Sequence, residues 1–251
     1  MPRPHLRLDA NSPTIIVPLT ASDLSGLELD AAAVAAAPAG VAAEWRVDLY
    51  EPFTAGSGLD PAPAVAALER LAALLPDTAL LVTFRTTAEG GTAEISGPAY
   101  LALLDAVAAT GLACAVDVEY RHPMADQAIA AAQRHQTAVV ASNHDFEGTP
   151  ATEEIVTRLQ AMEEAGADVA KIAVMPRSAG DVVRLLEATE RRYRDAQIPL
   201  ITMSMGGLGA VTRIGGGVFG SAATFATVGA ASAPGQLPAA GVRAALELLH
   251  G

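Results

Sequence analysis

Short apolar, β-branched runs alternate along the chain with Ala-, Leu- and Glu-rich stretches of helical character, the rhythm of strands that are each followed by a helix. Strands are predicted over Thr14–Thr20, Ala43–Leu49, Ala79–Thr86, Ala113–Glu119, Ala138–His144, Asp168–Val174, Leu200–Met205 and Phe219–Ala226. Helices are predicted over Pro61–Leu75, Pro98–Thr110, Met124–Gln136, Thr152–Ala165, Ala179–Ala196 and Ala239–His250. Pro61 and Pro98 mark two helix starts, and Thr152 before Glu153 and Glu154 suits an N-cap. The segment between the first two strands forms helix weakly, and the seventh connection, Leu208–Ile214, is short. Eight βα repeats in 251 residues have the size of a (β/α)8 TIM barrel. A doubly wound open sheet shares this periodicity and stays open as the alternative. No Pro/Ser linker or shift of composition divides the chain, so residues 1–251 read as a single domain.

Polar residues interrupt these apolar strands at spacings of two, which puts them on one face. Glu44, Arg46 and Asp48 are so spaced on the second strand, Asp117 and Glu119 on the fourth, and Ser142 and His144 on the fifth. Lys171 shares a face with Ala173 and Met175 on the sixth, and Met203 with Met205 on the seventh. Inward charges are costly unless paired, and barrel active sites lie at the C-terminal ends of the strands. One such pair would read as an internal salt bridge. Polar or charged side chains on four strands, with the methionines of a fifth, read as a site.

Composition sharpens this picture at one residue. The chain has 28 acidic and 16 basic side chains, a net charge of −12, which argues against a general nucleic-acid binder. Fifteen of the basic residues are Arg and one is Lys171. An amine can attack a carbonyl to form an imine, which a guanidinium cannot do. The competing reading of Lys171 is a structural side chain that snorkels or pairs with Glu44 or Glu119. Cys114 stands alone and cannot form an internal disulfide, which fits a reducing compartment. No secretory signal or long apolar run is evident, so a soluble cytoplasmic protein that engages no membrane is expected.

His144 lies in Ser142-Asn143-His144-Asp145-Phe146, where a strand enters a polar turn, and histidine is readily tuned for proton transfer near neutrality. His5, His122, His135 and His250 read as surface or capping residues. Gly215-Gly216-Gly217-Val218-Phe219-Gly220 formally matches G-x-G-x-x-G. It precedes a strand instead of joining strand to helix, so it is a weak nucleotide signal. Gly229 to Gln236 reads as a surface connection or a mobile lid bearing Ser232 and Gln236.

Glu44-Trp45-Arg46-Val47-Asp48, Phe84-Arg85-Thr86 through Glu89-Gly90-Gly91, Ser142-Asn143-His144-Asp145-Phe146, Ala170-Lys171-Ile172-Ala173, Met203-Ser204-Met205-Gly206, and Phe219-Gly220-Ser221-Ala222 through Ala233-Pro234-Gly235-Gln236 occur in this order. Together they closely resemble type I 3-dehydroquinate dehydratase, an enzyme family of the shikimate pathway. The resemblance spans nearly the whole chain and is carried by the ordered combination, not by one motif.

It implies a (β/α)8 barrel, commonly a homodimer, that uses no metal or organic cofactor. Lys171 would form a Schiff base with the C3 ketone of 3-dehydroquinate. His144 would remove the C2 proton and protonate the departing C1 hydroxyl, and Glu89 would orient the histidine. Arg213 would pair with the substrate carboxylate, while Glu44, Arg46 and Arg85 would hold ring hydroxyls and position Lys171. Ser232 and Gln236 would close from the lid, and Met203, Met205 and Phe225 would supply apolar walls. Pro18 departs from relatives with a serine there, Thr212 replaces a usual serine, and Gly215–Gly217 is unusually glycine-rich. The alternatives are a class I aldolase, which shares an imine-forming lysine on a barrel strand, and a non-catalytic barrel that retains the motifs.

Overall fold

A computed structural model describes residues 4–37, 40–55, 60–228 and 235–250. They fall into two compact units, one of the residues up to Leu6 with those from Pro18 to Val140, the other of Arg7–Val17 with those from Ala141 onward. Both follow the parallel α/β succession.

In the first unit, α1 (Leu24–Ala35), β2 (Val41–Arg46), α2 (Glu51–Thr54), α3 (Ala62–Leu74), β3 (Leu80–Thr83), α4 (Gly97–Ala109), β4 (Ala115–Glu119) and α5 (Ala125–Arg134) follow in order. β2 pairs parallel with β3, with Arg46 opposite Thr83, and β3 pairs parallel with β4, with Thr83 opposite Asp117. The core is aromatic at its centre. Phe84 packs edge-on against Phe53 and against Tyr100, with ring centroids 6.0 and 6.4 Å apart, and Trp45 meets Tyr50 in the same way. Helix starts are capped locally: Asp23 accepts the Gly26 N–H and Ser96 accepts the Ala99 N–H, filling donors that the helix leaves unpaired.

In the second unit, which takes β1 (Thr14–Leu19) as far as Val17, β1 pairs through Thr14–Ile16 with β8 (Ala223–Thr227), and β6 (Val169–Val174) pairs with β7 (Leu200–Ser204), both parallel. The part of β5 (Ala138–Asp145) from Ala141 onward, α6 (Thr152–Glu164), α7 (Ala179–Asp195), α8 (Ala210–Gly215), the short β9 (Leu237–Pro238) and α9 (Ala239–His250) complete it. α7 opens with a reciprocal capping box between Ser178 and Asp181.

Several boundaries differ from the sequence pattern, for identifiable reasons. The second strand stops at Arg46, and Val47–Leu49 forms a 3-10 turn. The third stops at Thr83 because side chains take over the ladder: the Arg85 N–H donates to Asp48 and the Thr86 N–H to Glu119. Gly216–Phe219, expected as the approach to the eighth strand, is a 3-10 turn closed by hydrogen bonds from Gly220 N–H to Gly217 and from Ser221 N–H to Gly216. The G-x-G-x-x-G match therefore lies in that turn. Thr152 is not the N-cap of α6. Ala151 holds that position, and the Thr152 hydroxyl donates to Glu187 on α7 at 3.1 Å.

Candidate active site

In the first unit the polar residues form one buried cage around Arg85. Arg85 Nη2 donates to Asp117 at 2.7 Å, and Nη1 donates to Glu119 at 3.1 Å and to Glu89 at 3.3 Å. Asp117 is completely buried. Glu44 accepts the Thr83 hydroxyl at 2.9 Å, and Arg46 makes a two-point pair with Asp48 at 2.8 and 2.6 Å. A planar guanidinium suits such a multidentate cage better than an ammonium. Burial alone would lower the Arg85 pKa, but Asp117, Glu89, Glu119 and Glu44 outweigh it and hold the value above the ordinary one. Arg46 is raised in the same way against burial, chiefly by Asp48. The Tyr100 phenol is pushed up by burial and by Glu119 and Asp117, so it keeps its proton.

The loop that carries Glu89 folds tightly back on Arg85. Glu89 closes the 3-10 turn Thr87–Glu89, and a Cβ on Gly91 would lie 1.8 Å from the Arg85 carbonyl oxygen. Only glycine permits that approach. Of the residues in this unit singled out from sequence, Arg85 and Glu89 meet directly, while Glu44 and Arg46 lie on β2 opposite Leu81 and Thr83 of β3. Asp48, Asp117, Glu119 and Thr86 complete the network. Period-two spacing had marked three of these as inward charges without assigning a role, and Thr86 carried no signal of its own.

In the second unit Lys171 is only 3% exposed, within the apolar strand β6. Its ammonium nitrogen lies 4.7 Å from the centroid of the Phe225 ring, a cation–π contact. Arg213, on α8, reaches the same place: Nη1 lies 3.4 Å from the Phe225 carbonyl oxygen and 3.9 Å from the Met203 sulfur. Burial lowers the Arg213 pKa below the ordinary value. Ala173 stands opposite Met203 in the β6–β7 register, and Met205 is buried just beyond β7. Lys171, Phe225, Arg213 and Met203 thus form one cluster of two cations with apolar walls.

His144 is half-buried near the end of β5. Its neighbours are fixed from α6: Arg158 donates to Asn143 and to Asp145, both at 3.0 Å. Gln236 is described and Ser232 lies outside the described residues. Of the histidines set aside, His135 pairs with Asp105 at 3.0 Å, and His122 accepts the Met124 N–H before α5. His122 also stacks on Tyr100, with ring centroids 4.1 Å apart. Among the described residues no group of three or more His, Cys, Asp or Glu side chains is arranged to hold a metal ion, and no helix is long and apolar enough to cross a membrane.

A parallel βα succession with a buried lysine on one strand and a buried, carboxylate-bound arginine just past the end of another has the build of an α/β-barrel enzyme. The sequence matches the type I 3-dehydroquinase family over residues 15–251, and the chain belongs to that family. It is 45% identical over 250 residues to a 3-dehydroquinate dehydratase of Bacillus licheniformis, covering 98% of this chain and 95% of the relative. A Listeria monocytogenes 3-dehydroquinate dehydratase is likewise 45% identical, over 95% and 93% of the two chains. Among solved structures, the type I 3-dehydroquinate dehydratase of Clostridium difficile, with covalently modified comenic acid, superposes with a TM-score of 0.88 at 39% identity, over 95% of this chain and 93% of that one. The 3-dehydroquinate dehydratase of Geobacillus kaustophilus gives 0.89 at 35% identity, over 94% and 91%. The fold is the (β/α)8 barrel of these relatives, and the chain is a hydro-lyase of the family.

Proposed function

We propose that this chain converts 3-dehydroquinate to 3-dehydroshikimate through an imine on Lys171, in a single catalytic domain without metal or organic cofactor. The observation that carries the reading is the burial of the chain's one lysine against Phe225, with Arg213, from α8, donating to the carbonyl of that same residue. A carboxylate and a ketone on one small substrate need such an arginine and such an amine. The covalent comenic acid in the C. difficile relative supports a covalent step in the family.

The Lys171 amine adds to the C3 ketone and releases water, giving a protonated imine. This cation withdraws electrons from C2, so its C–H becomes acidic, and His144 removes that proton. The electron pair returns through the enamine and expels the C1 hydroxyl, which leaves as water with the proton His144 carries. Water then hydrolyses the imine and restores the amine. Arg213 binds the substrate carboxylate through its planar fork, and Met203, Met205 and Phe225 exclude water around the imine. The family pattern gives Glu89 the orientation of His144, Glu44, Arg46 and Arg85 the ring hydroxyls, and Ser232 and Gln236 the lid. A homodimer in the cytoplasm, acting at the third step of the shikimate route, belongs to the same reading.

Turnover tests it. Adding 3-dehydroquinate should raise the ultraviolet absorbance of a conjugated enone, and Lys171→Arg, which keeps the charge, should abolish that rise. Substantial activity in Lys171→Arg would leave the lysine a structural role only.

A further inference from the structure

Glu119 ends β4 and spends both carboxylate oxygens on the loop after β3. Oε1 accepts the Thr86 N–H at 2.8 Å and Arg85 Nη1 at 3.1 Å, while Oε2 accepts the Thr86 hydroxyl at 2.7 Å. Glu119 is itself held, because its N–H donates to the hydroxyl of the fully buried Tyr100 at 3.1 Å. The Thr86 carbonyl in turn accepts the N–H groups of Glu89 at 3.1 Å and of Gly91 at 2.8 Å. Arg85 Nη1, which Glu119 grips, also donates to the Glu89 carboxylate. Glu119 therefore reaches Glu89 by two routes, one through the Thr86 backbone and one through the Arg85 guanidinium.

We propose that Glu119 is a positioning residue for the dehydration: it fixes Thr86 and Arg85 and thereby the place of the Glu89 carboxylate. The inference rests on the reading of Glu89 as the group that orients His144. What Glu119 supplies is geometry, since Asp117 and Glu89 already give Arg85 two carboxylates. A glutamine can present its amide oxygen to Thr86 N–H and Arg85 and its amide N–H to the Thr86 hydroxyl. An aspartate keeps the charge but is one methylene too short to reach Thr86.

The test is a kinetic cycle with Glu89→Gln. Glu119→Asp should lower kcat by roughly ten- to a hundred-fold, the cost of a displacement on the order of 1 Å near the chemistry, with KM within about threefold. Glu119→Gln should restore kcat to within about fivefold of the parent. The double variant Glu119→Asp/Glu89→Gln should be no slower than Glu89→Gln alone, because a residue acting through Glu89 has nothing left to act on. Thr86→Val, which removes the donor to Oε2 and preserves shape, should fall in the same direction and also fail to add to Glu89→Gln. Multiplicative losses in the double variants would overturn the inference and leave the role of Glu89 standing. Equal losses in Glu119→Asp and Glu119→Gln would show that restoring the hydrogen bonds does not restore turnover and would overturn it, and a larger loss in Glu119→Gln than in Glu119→Asp would make charge the operative property and would overturn it too. Parent-like kcat in Glu89→Gln would overturn both the inference and the reading beneath it.

Discussion

Lys171 holds its ammonium nitrogen 4.7 Å from the centre of the Phe225 ring, inside a strand with no other charged residue. Such a contact is worth about 0.5–2 kcal/mol and is stronger when desolvated, so the ring fixes where the amine waits. Phe225→Leu keeps an apolar wall and removes the π face. It should slow imine formation on Lys171 by roughly three- to thirty-fold, the rate equivalent of that energy. Timed borohydride quenching measures this directly, and a parent-like trapping rate would remove the ring from the account.

The Arg85 cage should dominate the stability of its unit in a way that surface pairs do not. Asp117 is completely buried against Arg85 at 2.7 Å, and removing one partner of a buried pair costs about 3–5 kcal/mol. The Arg70–Glu28 pair has a similar distance, but both side chains are well exposed; such pairs contribute about 0–1 kcal/mol. Urea unfolding of Asp117→Ala and Glu28→Ala should separate by those amounts with similar slopes.

His122 should give the fold a pH dependence. Burial lowers its pKa, against the opposing charge of Glu119, and its ring accepts the Met124 N–H at 3.1 Å, which requires the neutral form. With the folded value below the unfolded one, the unfolded chain binds more protons between the two. The contribution is present above about pH 6.5 and is lost as pH falls through the folded value. Melting temperatures from pH 7.5 down to pH 5 should drop more for the parent than for His122→Gln.

Gly235 lies over the turn that follows β7. Its φ is +76°, and a Cβ there would sit 2.2 Å from the Gly206 carbonyl oxygen. Gly235→Ala must displace the backbone beside Gln236. If Gln236 contacts substrate, KM should rise by roughly tenfold, equivalent to the ~1–2 kcal/mol of left-handed strain, with a smaller change in kcat. An unchanged KM would detach Gln236 from substrate binding.

Much of this was legible in the sequence because it is written in local pattern. The eight strands appear as apolar runs, and Lys171 stands out as the one lysine in a chain that otherwise uses arginine. What escaped is set by residues far apart in sequence. β3 ends early because Asp48 and Glu119, 37 and 33 residues away, take the Arg85 and Thr86 N–H groups. Thr152 looks like a cap until Glu187, 35 residues on, claims its hydroxyl. Period-two spacing marked Asp117 and Glu119 as inward charges, but only the folded chain shows both on one arginine.

The proposed chemistry turns on a covalent bond to one nitrogen. Incubating the protein with 3-dehydroquinate and borohydride, then digesting it for mass spectrometry, should find the reduced substrate adduct on the peptide carrying Lys171 and on no other. Folded, soluble protein that yields neither adduct nor enone absorbance would contradict the account.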